Sequence, residues 1–168
     1  MQGLNLELHA GEVLGLVSES GAGKSRIGNG IVQLLSAPGR ITRGDIYLND
    51  DLISALNSGE IRKFRGRRIG FIFQDPVTSL NPLFTVENQL IDAIVNCTDL
   101  NKSNAAKKAI ELLEKVGIPE PDIRIKQYPH QFSDGMRQRV VIAIALAGNP
   151  EMIIADEPTT ALDVSVQD

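Results

Sequence analysis

The feature that most constrains this chain is a glycine-rich turn set between an apolar run and a helical pattern. Residues 18–25 read SESGAGKS, and the apolar run VLGLV at 13–17 comes directly before them. Such a turn points successive backbone N–H groups, and the positive end of a helix, at one place where phosphate oxygens can bind. Strand, turn and helix in this order predict a nucleotide-binding loop on an α/β fold. The apolar residues with helical spacing after the turn are Ile27, Ile31, Leu34 and Leu35.

Two side chains of this loop carry its predicted chemistry. Lys24 is expected to reach the β- and γ-phosphates, and the Ser25 hydroxyl is expected to coordinate Mg²⁺. The usual pattern opens with glycine, whereas this chain has Ser18, whose backbone is more restricted and predicts a strained or reshaped loop. The predicted nucleotide-binding residues are Ser18, Glu19, Ser20, Gly21, Ala22, Gly23, Lys24, Ser25 and Arg26.

A second candidate site lies near the end of the chain, where residues 151–158 read EMIIADEP. The run MIIA is typical of a buried parallel strand, and it delivers Asp156 and Glu157 at its carboxyl end, the edge at which open α/β sheets bind ligands. Asp156 is predicted to hold Mg²⁺ through water, because Mg²⁺ keeps much of its hydration shell. Glu157 is predicted to polarise the water that attacks the γ-phosphate.

Three further segments resemble motifs of the ATP-binding cassette (ABC) ATPases. FSDGMRQR at 132–139 is similar to the family's LSGGQ-type signature, IFQDP at 72–76 to its Q-loop, and TALD at 160–163 to its D-loop. The sequences of four longer segments resemble those of one branch of the family, the ATPases of oligopeptide, dipeptide and nickel importers. These segments are QDPVTSLNP (74–82), YPHQFS (128–133), GMRQR (135–139) and ADEPTTALDVSVQ (155–167).

The resemblance implies a role for each matching residue. Gln74 would bind Mg²⁺ or the attacking water, and Asp163 would be the D-loop aspartate. The signature would complete the ATP site of a second ATPase subunit, so that two subunits trap two nucleotides at their interface. The signature residues concerned are Ser133, Asp134, Gly135 and Met136.

Asp134 stands where the family usually has glycine. A carboxylate at a helix start stabilises the helix by about 0.3–1 kcal/mol. The same charge a few ångströms from a phosphate would oppose ATP by roughly 1–4 kcal/mol. Repulsion dominates if the carboxylate faces the partner's ATP, and the helix-start effect dominates if it faces solvent.

Composition excludes several classes of function. A formal net charge of −4 and a sequence pI near 5.2 argue against a nucleic-acid or anionic-membrane surface. The basic cluster at 62–68 is interpreted as a solvated loop or helix end, and Cys97 as a buried structural thiol. No apolar run is long enough to span a bilayer, and the amino terminus has no signal-peptide pattern, so any membrane function requires partners.

The pattern along the chain predicts an α/β P-loop core with an antiparallel β part and a helical subdomain. A hairpin is expected from 4–8 and 12–17, and strands from 41–48 and 69–73. Helices are expected from Thr85, from Ser103 up to Gly117, and over 136–146. Within a single domain of 168 residues, residues 1–81 are assigned to the core and β part, 82–135 to the helical subdomain, and 136–168 to the signature helix, Asp156 strand and D-loop.

Together these features predict an ATP-hydrolysing subunit of an importer for peptides or related small solutes. The resemblance implies ATP and Mg²⁺ as cofactors, transmembrane permease subunits as partners, an indirect link to a substrate-binding protein, and a place at the cytoplasmic face of the membrane. The family's base-stacking aromatic and switch histidine have no counterpart. Residues 1–35 contain no Phe, Tyr or Trp, and neither His9 nor His130 stands at the position expected for the switch histidine. The chain is therefore expected to be a cassette truncated at both ends. Two alternatives stay open: a non-catalytic nucleotide-binding module, and a soluble ABC ATPase without a transporter.

Overall fold

The computed structural model describes residues 3–17, 19 and 23–158, which fall into two compact units, Met1–Ala55 and Leu56–Asp168. Each unit is described by itself. The boundaries predicted at residues 81 and 135 divide the chain differently and stay predictions.

The first unit contains one helix and one short antiparallel ribbon. Helix α1 spans Lys24–Ile31, strand β1 spans Tyr47–Leu48, strand β2 spans Asp51–Leu52, and a 3₁₀ turn follows at Ile53–Ala55. The ribbon pairs Tyr47 with Leu52 and Leu48 with Asp51. The predicted strand over 41–48 is therefore wrong in its length, because Gly44 adopts a φ of +95° that interrupts extended backbone before the ribbon begins.

The hairpin predicted from 4–8 and 12–17 is wrong for the described residues. Residues 3–17 form no strand, and Val13 and Val17 are 96% and 97% exposed rather than buried. A strand is stable only when a neighbour accepts its hydrogen bonds, and β1 and β2 of this unit pair with each other. Apolar composition alone therefore misled the prediction for this segment.

The second unit contains the parallel strand pair that the sequence predicts. Strand β3 (Ile69–Ile72) pairs with β4 (Met152–Ala155) in register from Ile69 opposite Met152 to Ile72 opposite Ala155. Just before both strands, Arg68 donates from Nε to Glu151 Oε1 at 2.6 Å and from Nη2 to Oε2 at 3.1 Å. This bidentate ion pair, the stronger geometry for arginine and carboxylate, fixes the start of the register.

Helices make up most of the rest of the second unit. They are α2 (Ser58–Phe64), α3 (Pro76–Ser79), α4 (Val86–Cys97), α5 (Lys102–Lys115), α6 (Pro121–Arg124) and α7 (Asp134–Ala145), with a 3₁₀ turn at Pro129–Gln131. Helices α4, α5 and α7 share one apolar core. Its fully buried side chains include Val86, Leu90, Ile94, Leu113 and Val140.

Side-chain caps set where these helices begin. Thr85 Oγ1 accepts the Asn88 N–H, so α4 starts where the sequence predicts. Helix α5 begins at Lys102 rather than after Ser103, because Asn101 Oδ1 accepts the Asn104 N–H at 3.0 Å and supplies the cap itself. Helix α7 begins two residues before the predicted Met136.

Two other sequence-based interpretations concern chemistry outside the sheet. Within residues 3–17, 19 and 23–158, no helix is both long and apolar enough to cross a bilayer. Cys97 is half-buried, and this burial raises the pKa of its thiol although the charges of Arg67 and Lys108 oppose the shift. The thiol therefore stays protonated and unreactive at neutral pH.

Gly70 lets α7 approach β3 closely, because a Cβ atom at this position would lie 2.6 Å from the Ala145 carbonyl oxygen and 3.1 Å from Pro150 Cγ. We predict that Gly70→Ala destabilises the protein by about 1–3 kcal/mol through overpacking against backbone. Urea unfolding measures this change. The matched control is Gly30→Ala in α1, where the added methyl group would come no closer than 4.0 Å to Leu35, and a shift within about 1 kcal/mol is expected. Equal effects of the two substitutions would contradict the prediction.

Candidate functional site

Gln74, Asp156 and Glu157 meet where β3 and β4 end. Gln74 Nε2 donates to Glu157 Oε2 at 2.6 Å, and the Asp156 N–H donates to the Ile72 carbonyl at 2.9 Å, which continues the pairing one residue past the strand. The structure thus brings together one amide and two carboxylates that lie 82 or more residues apart in the sequence. This is the arrangement that the sequence predicts for the carboxyl edge of a parallel sheet.

Glu157 is held in an unusual backbone conformation. Its φ is +51°, in the left-handed region that costs a non-glycine residue about 1–3 kcal/mol. The next residue, Pro158, accepts a hydrogen bond at its carbonyl oxygen from Gln138 Nε2 at 2.9 Å. Sequence reasoning missed both this conformation and Gln138. The Glu-Pro dipeptide was the available signal, since a residue before proline is driven out of the right-handed helical region.

The described part of the predicted phosphate-binding loop lies in the first unit. Gly23, with a φ of +99°, precedes α1, and its carbonyl accepts the N–H groups of Arg26 and Ile27. Ser25 and Arg26 are exposed and Lys24 is partly exposed. Glu19 is exposed as well, whereas Ser18, Ser20, Gly21 and Ala22 lie outside the described residues. Lys24 and Ser25 thus stand at a helix start, as the sequence predicts.

The signature residues form the start of α7. Ser133 is its N-cap, with Oγ accepting the Met136 N–H at 3.3 Å, and Asp134 and Gly135 occupy the first turn. Asp134 Oδ1 accepts from Arg137 Nη1 at 2.7 Å, while its carboxylate stays 70% exposed. The choice between the two orientations weighed from the sequence, toward a partner's ATP or toward solvent, stays a prediction. The carboxylate turns along its own helix toward a cation three residues on.

Arg137 also ties this helix start to the preceding turn. Its Nε donates to the Pro129 carbonyl at 2.8 Å, so one guanidinium holds both the 3₁₀ turn and Asp134. A guanidinium suits this double contact because its donors form a rigid planar fork. The D-loop residue Asp163 lies outside the described residues.

The residues at the sheet edge fit a magnesium ion in their chemistry. Mg²⁺ prefers oxygen donors and is commonly held by one or two carboxylates together with substrate phosphates. Asp156 and Gln74 offer such oxygens where β3 and β4 end. Among residues 3–17, 19 and 23–158 no three or more His, Cys, Asp or Glu side chains form a metal-binding cluster.

Comparison with known proteins decides the family. The family model described as ABC transporter matches residues 1–160. The chain belongs to the ABC transporter family. Its relatives include the oligopeptide transport ATP-binding protein OppD of Bacillus subtilis, at 49% identity over 99% of this chain and 47% of the relative. The dipeptide transport ATP-binding protein DppD of Bacillus subtilis is 46% identical over 99% of this chain and 50% of the relative.

Solved structures support the same fold for this ABC chain. A dimeric post-hydrolysis state of the ATP-binding cassette MJ0796, bound to ADP and Pi, matches at a TM-score of 0.76 and 34% identity, covering 88% of this chain and 61% of that one. A second dimeric structure of MJ0796 matches at a TM-score of 0.71. The predicted α/β ABC ATPase fold is confirmed. The chain spans about half the length of the curated relatives it matches.

The two contacts of Arg137 predict unequal effects of removing each partner. Arg137→Ala removes the Pro129 bond and the Asp134 pair, so we expect it to destabilise the protein by about 1–2 kcal/mol. Asp134→Asn removes only an exposed ion pair, so its effect is expected to stay below about 1 kcal/mol. Thermal unfolding at low and high salt separates the two, because only the ion pair is screened. A larger loss of stability in Asp134→Asn than in Arg137→Ala would contradict the assignment.

Proposed function

We propose that this chain forms the ATP-binding and ATP-hydrolysing part of a subunit that powers an importer of peptides or related small solutes. The observation that carries the proposal is the hydrogen bond between Gln74 and Glu157 beside Asp156. It places a water-polarising carboxylate next to the amide that would sense magnesium or the attacking water. The names of the relatives, which are oligopeptide and dipeptide transport ATP-binding proteins, support the choice of transported solute.

The residues divide the chemistry of hydrolysis between the two units. In the first unit, the backbone after Gly23 and the Lys24 ammonium would bind the phosphates of ATP. In the second unit, the Asp156 carboxylate and the Gln74 amide oxygen would be ligands of Mg²⁺, which would supply positive charge toward the phosphates when bound. The Ser25 hydroxyl stays the metal ligand predicted for the first unit. Glu157 would orient and polarise a water for attack on the γ-phosphate. Its 2.6 Å bond to Gln74 restrains the carboxylate in a single direction before any water arrives.

The signature at the start of α7 would act on the nucleotide of a second ATPase subunit. Ser133 keeps a hydroxyl proton to donate, because its oxygen accepts from Met136 within the helix. The Asp134–Arg137 pair lowers the repulsion expected between this carboxylate and a phosphate, since a cation lies 2.7 Å from it. This pair weakens one of the observations that favour a non-catalytic module, namely the charge of Asp134 in the signature.

Transport requires a contact with permease subunits in the membrane, and residues 75–100 are the proposed contact surface. Leu83 is 80% exposed and Phe84 is half exposed in the loop before α4, whereas Val86 and Leu90 are buried in the core. The apolar side chains of Leu83 and Phe84 are thus exposed and do not belong to the core. The protein would sit at the cytoplasmic face of the membrane, and a substrate-binding protein would be linked to it only through the permease.

Substitutions at the sheet edge test hydrolysis. We predict that Glu157→Gln lowers ATP turnover at least a hundredfold and leaves ATP affinity within about twofold, because the neutral amide cannot polarise the attacking water or accept a proton from it. Asp156→Asn should raise the Mg²⁺ concentration needed for half-maximal turnover. Lys24→Ala is the control for binding and should abolish most of the ATP affinity. Turnover by Glu157→Gln at the wild-type rate would refute its catalytic role, and wild-type protein without turnover would refute the proposed activity.

Crosslinking tests the permease contact. On a Cys97→Ser background, single cysteines at positions 78–84 are expected to crosslink to a co-expressed permease, with the highest yield at Leu83 and Phe84. Cysteines at Asn104 and Lys107, on the exposed face of α5, serve as controls that should not crosslink. An assembled complex that gives no crosslink from 78–84, or equal yields from the α5 positions, would count against this surface.

A further inference from the structure

Gln138 stands apart from the rest of the core of the second unit. It is 1% exposed, and among residues 3–17, 19 and 23–158 it is the one buried residue with a polar or charged side chain. Its Nε2 donates to the Pro158 carbonyl at 2.9 Å, while its buried Oε1 accepts no hydrogen bond within that part of the chain. A buried acceptor without a partner is costly, so packing alone would favour an apolar side chain of the same shape.

Gln138 is bonded to Pro158, the residue that directly follows Glu157 and its proposed catalytic carboxylate. Glu157 has its left-handed φ of +51° directly before Pro158, and nothing in an ordinary strand end requires that conformation. Strained backbone persists only where surrounding contacts hold it. Gln138, which lies outside the strand, supplies such a contact through its hydrogen bond to the Pro158 carbonyl, directly after the strained residue. The bond is partly buried, because its donor lies on a side chain that is 1% exposed.

Helix α7 is itself held rigidly against the sheet. The backbone of Ala145 lies so close to Gly70 that a methyl group at Gly70 would approach its carbonyl oxygen to 2.6 Å. Gln138 and Ala145 lie on the same helix, two turns apart, so the Gln138 amide has a fixed distance to the sheet edge. The turn at Glu157 and Pro158 is therefore anchored to α7 and not only to its own strand.

We propose that Gln138 is a positioning residue for hydrolysis, which holds the Pro158 carbonyl so that the Glu157 carboxylate stays against Gln74. The inference rests on the proposed ATPase function and adds a residue to it. Because α7 begins with the signature, Gln138 also connects the helix that would act on a partner's nucleotide to the carboxylate that serves this subunit's own nucleotide. Without this bond, Glu157 relaxes toward ordinary backbone angles and its carboxylate leaves Gln74.

The test compares Gln138→Met with Arg139→Met in the complete polypeptide. Methionine keeps the length and volume of Gln138 and removes its donor. Arg139 is a matched control on the same helix, since its Nη1 donates to the carbonyls of Val116 and Gly117 at 2.8 and 3.1 Å, away from the Glu157 turn. We expect Gln138→Met to lower kcat about tenfold to a hundredfold with ATP affinity within twofold, and Arg139→Met to keep kcat within about threefold.

Amide hydrogen exchange gives a readout that does not need turnover. The Asp156 N–H, bonded to the Ile72 carbonyl, should exchange about tenfold faster in Gln138→Met and at the wild-type rate in Arg139→Met. In a Glu157→Gln background, Gln138→Met should cause no further loss of kcat, because it acts only through Glu157. If Gln138→Met does not fold, Gln138→Asn replaces it, since the shorter amide cannot reach Pro158.

The outcomes separate this inference from the proposed function. Wild-type protein without turnover would refute the ATPase proposal, and the exchange of the Asp156 N–H would still decide the role of Gln138. Unchanged exchange at Asp156 would overturn the positioning role whatever happens to kcat. Unchanged kcat in Gln138→Met, a comparable kcat loss in Arg139→Met, or an additive loss in the Glu157→Gln background would overturn it as well.

Discussion

The parallel pairing of β3 with β4 is the constraint on which the second unit depends. The two strands lie about eighty residues apart along the chain, and their register determines that Gln74 and Glu157 leave the sheet side by side. The Arg68–Glu151 ion pair fixes one end of this register, and the Asp156–Ile72 backbone bond fixes the other. A slip of β4 by one residue would turn the Glu157 side chain to the opposite face of the sheet, away from Gln74. The chain between the two strands forms the intervening helices, and β3 is mostly buried whereas β4 is partly exposed.

The sequence correctly predicted strands β3 and β4 and the start of α4, but it could not show whether an apolar run has a neighbouring strand to pair with. The runs at 69–72 and 152–155 were found because paired parallel strands often read as continuous apolar runs, and each has the other as its neighbour. The burial predicted for the second run is wrong, since Met152 and Ile154 are only partly buried and Ile153 is 45% exposed. The run at 13–17 reads the same way, yet it forms no strand, because periodicity cannot reveal whether a neighbouring strand is within reach. Caps show the same limit. Thr85 was located, whereas Ser103 was preferred to Asn101, although the Asn101 carboxamide reaches the Asn104 N–H.

The departure of the signature from its usual glycine illustrates how a local contact changes the meaning of a residue. By itself, Asp134 is a charge beside a phosphate site. With Arg137 one turn later, it is half of an ion pair whose other half also holds the Pro129 carbonyl. An i, i+3 pair of this kind is visible in the sequence. What the sequence does not show is that the arginine has a second acceptor, which fixes its guanidinium and therefore the carboxylate that follows it.

The sheet edge combines a strained backbone with a buried amide, and each accounts for the other. Pro158 excludes Glu157 from right-handed helical angles, and extended angles would continue β4 and carry the Glu157 side chain past Gln74. Glu157 instead adopts the left-handed conformation, which turns the chain at this point. This conformation costs free energy that the hydrogen bonds of β4 do not offset. Gln138 donates a partly buried hydrogen bond to the next carbonyl and, in the proposal above, offsets part of that cost. The proposed catalytic carboxylate would then be positioned by the proline next to it and by a helix residue that lies about twenty positions earlier.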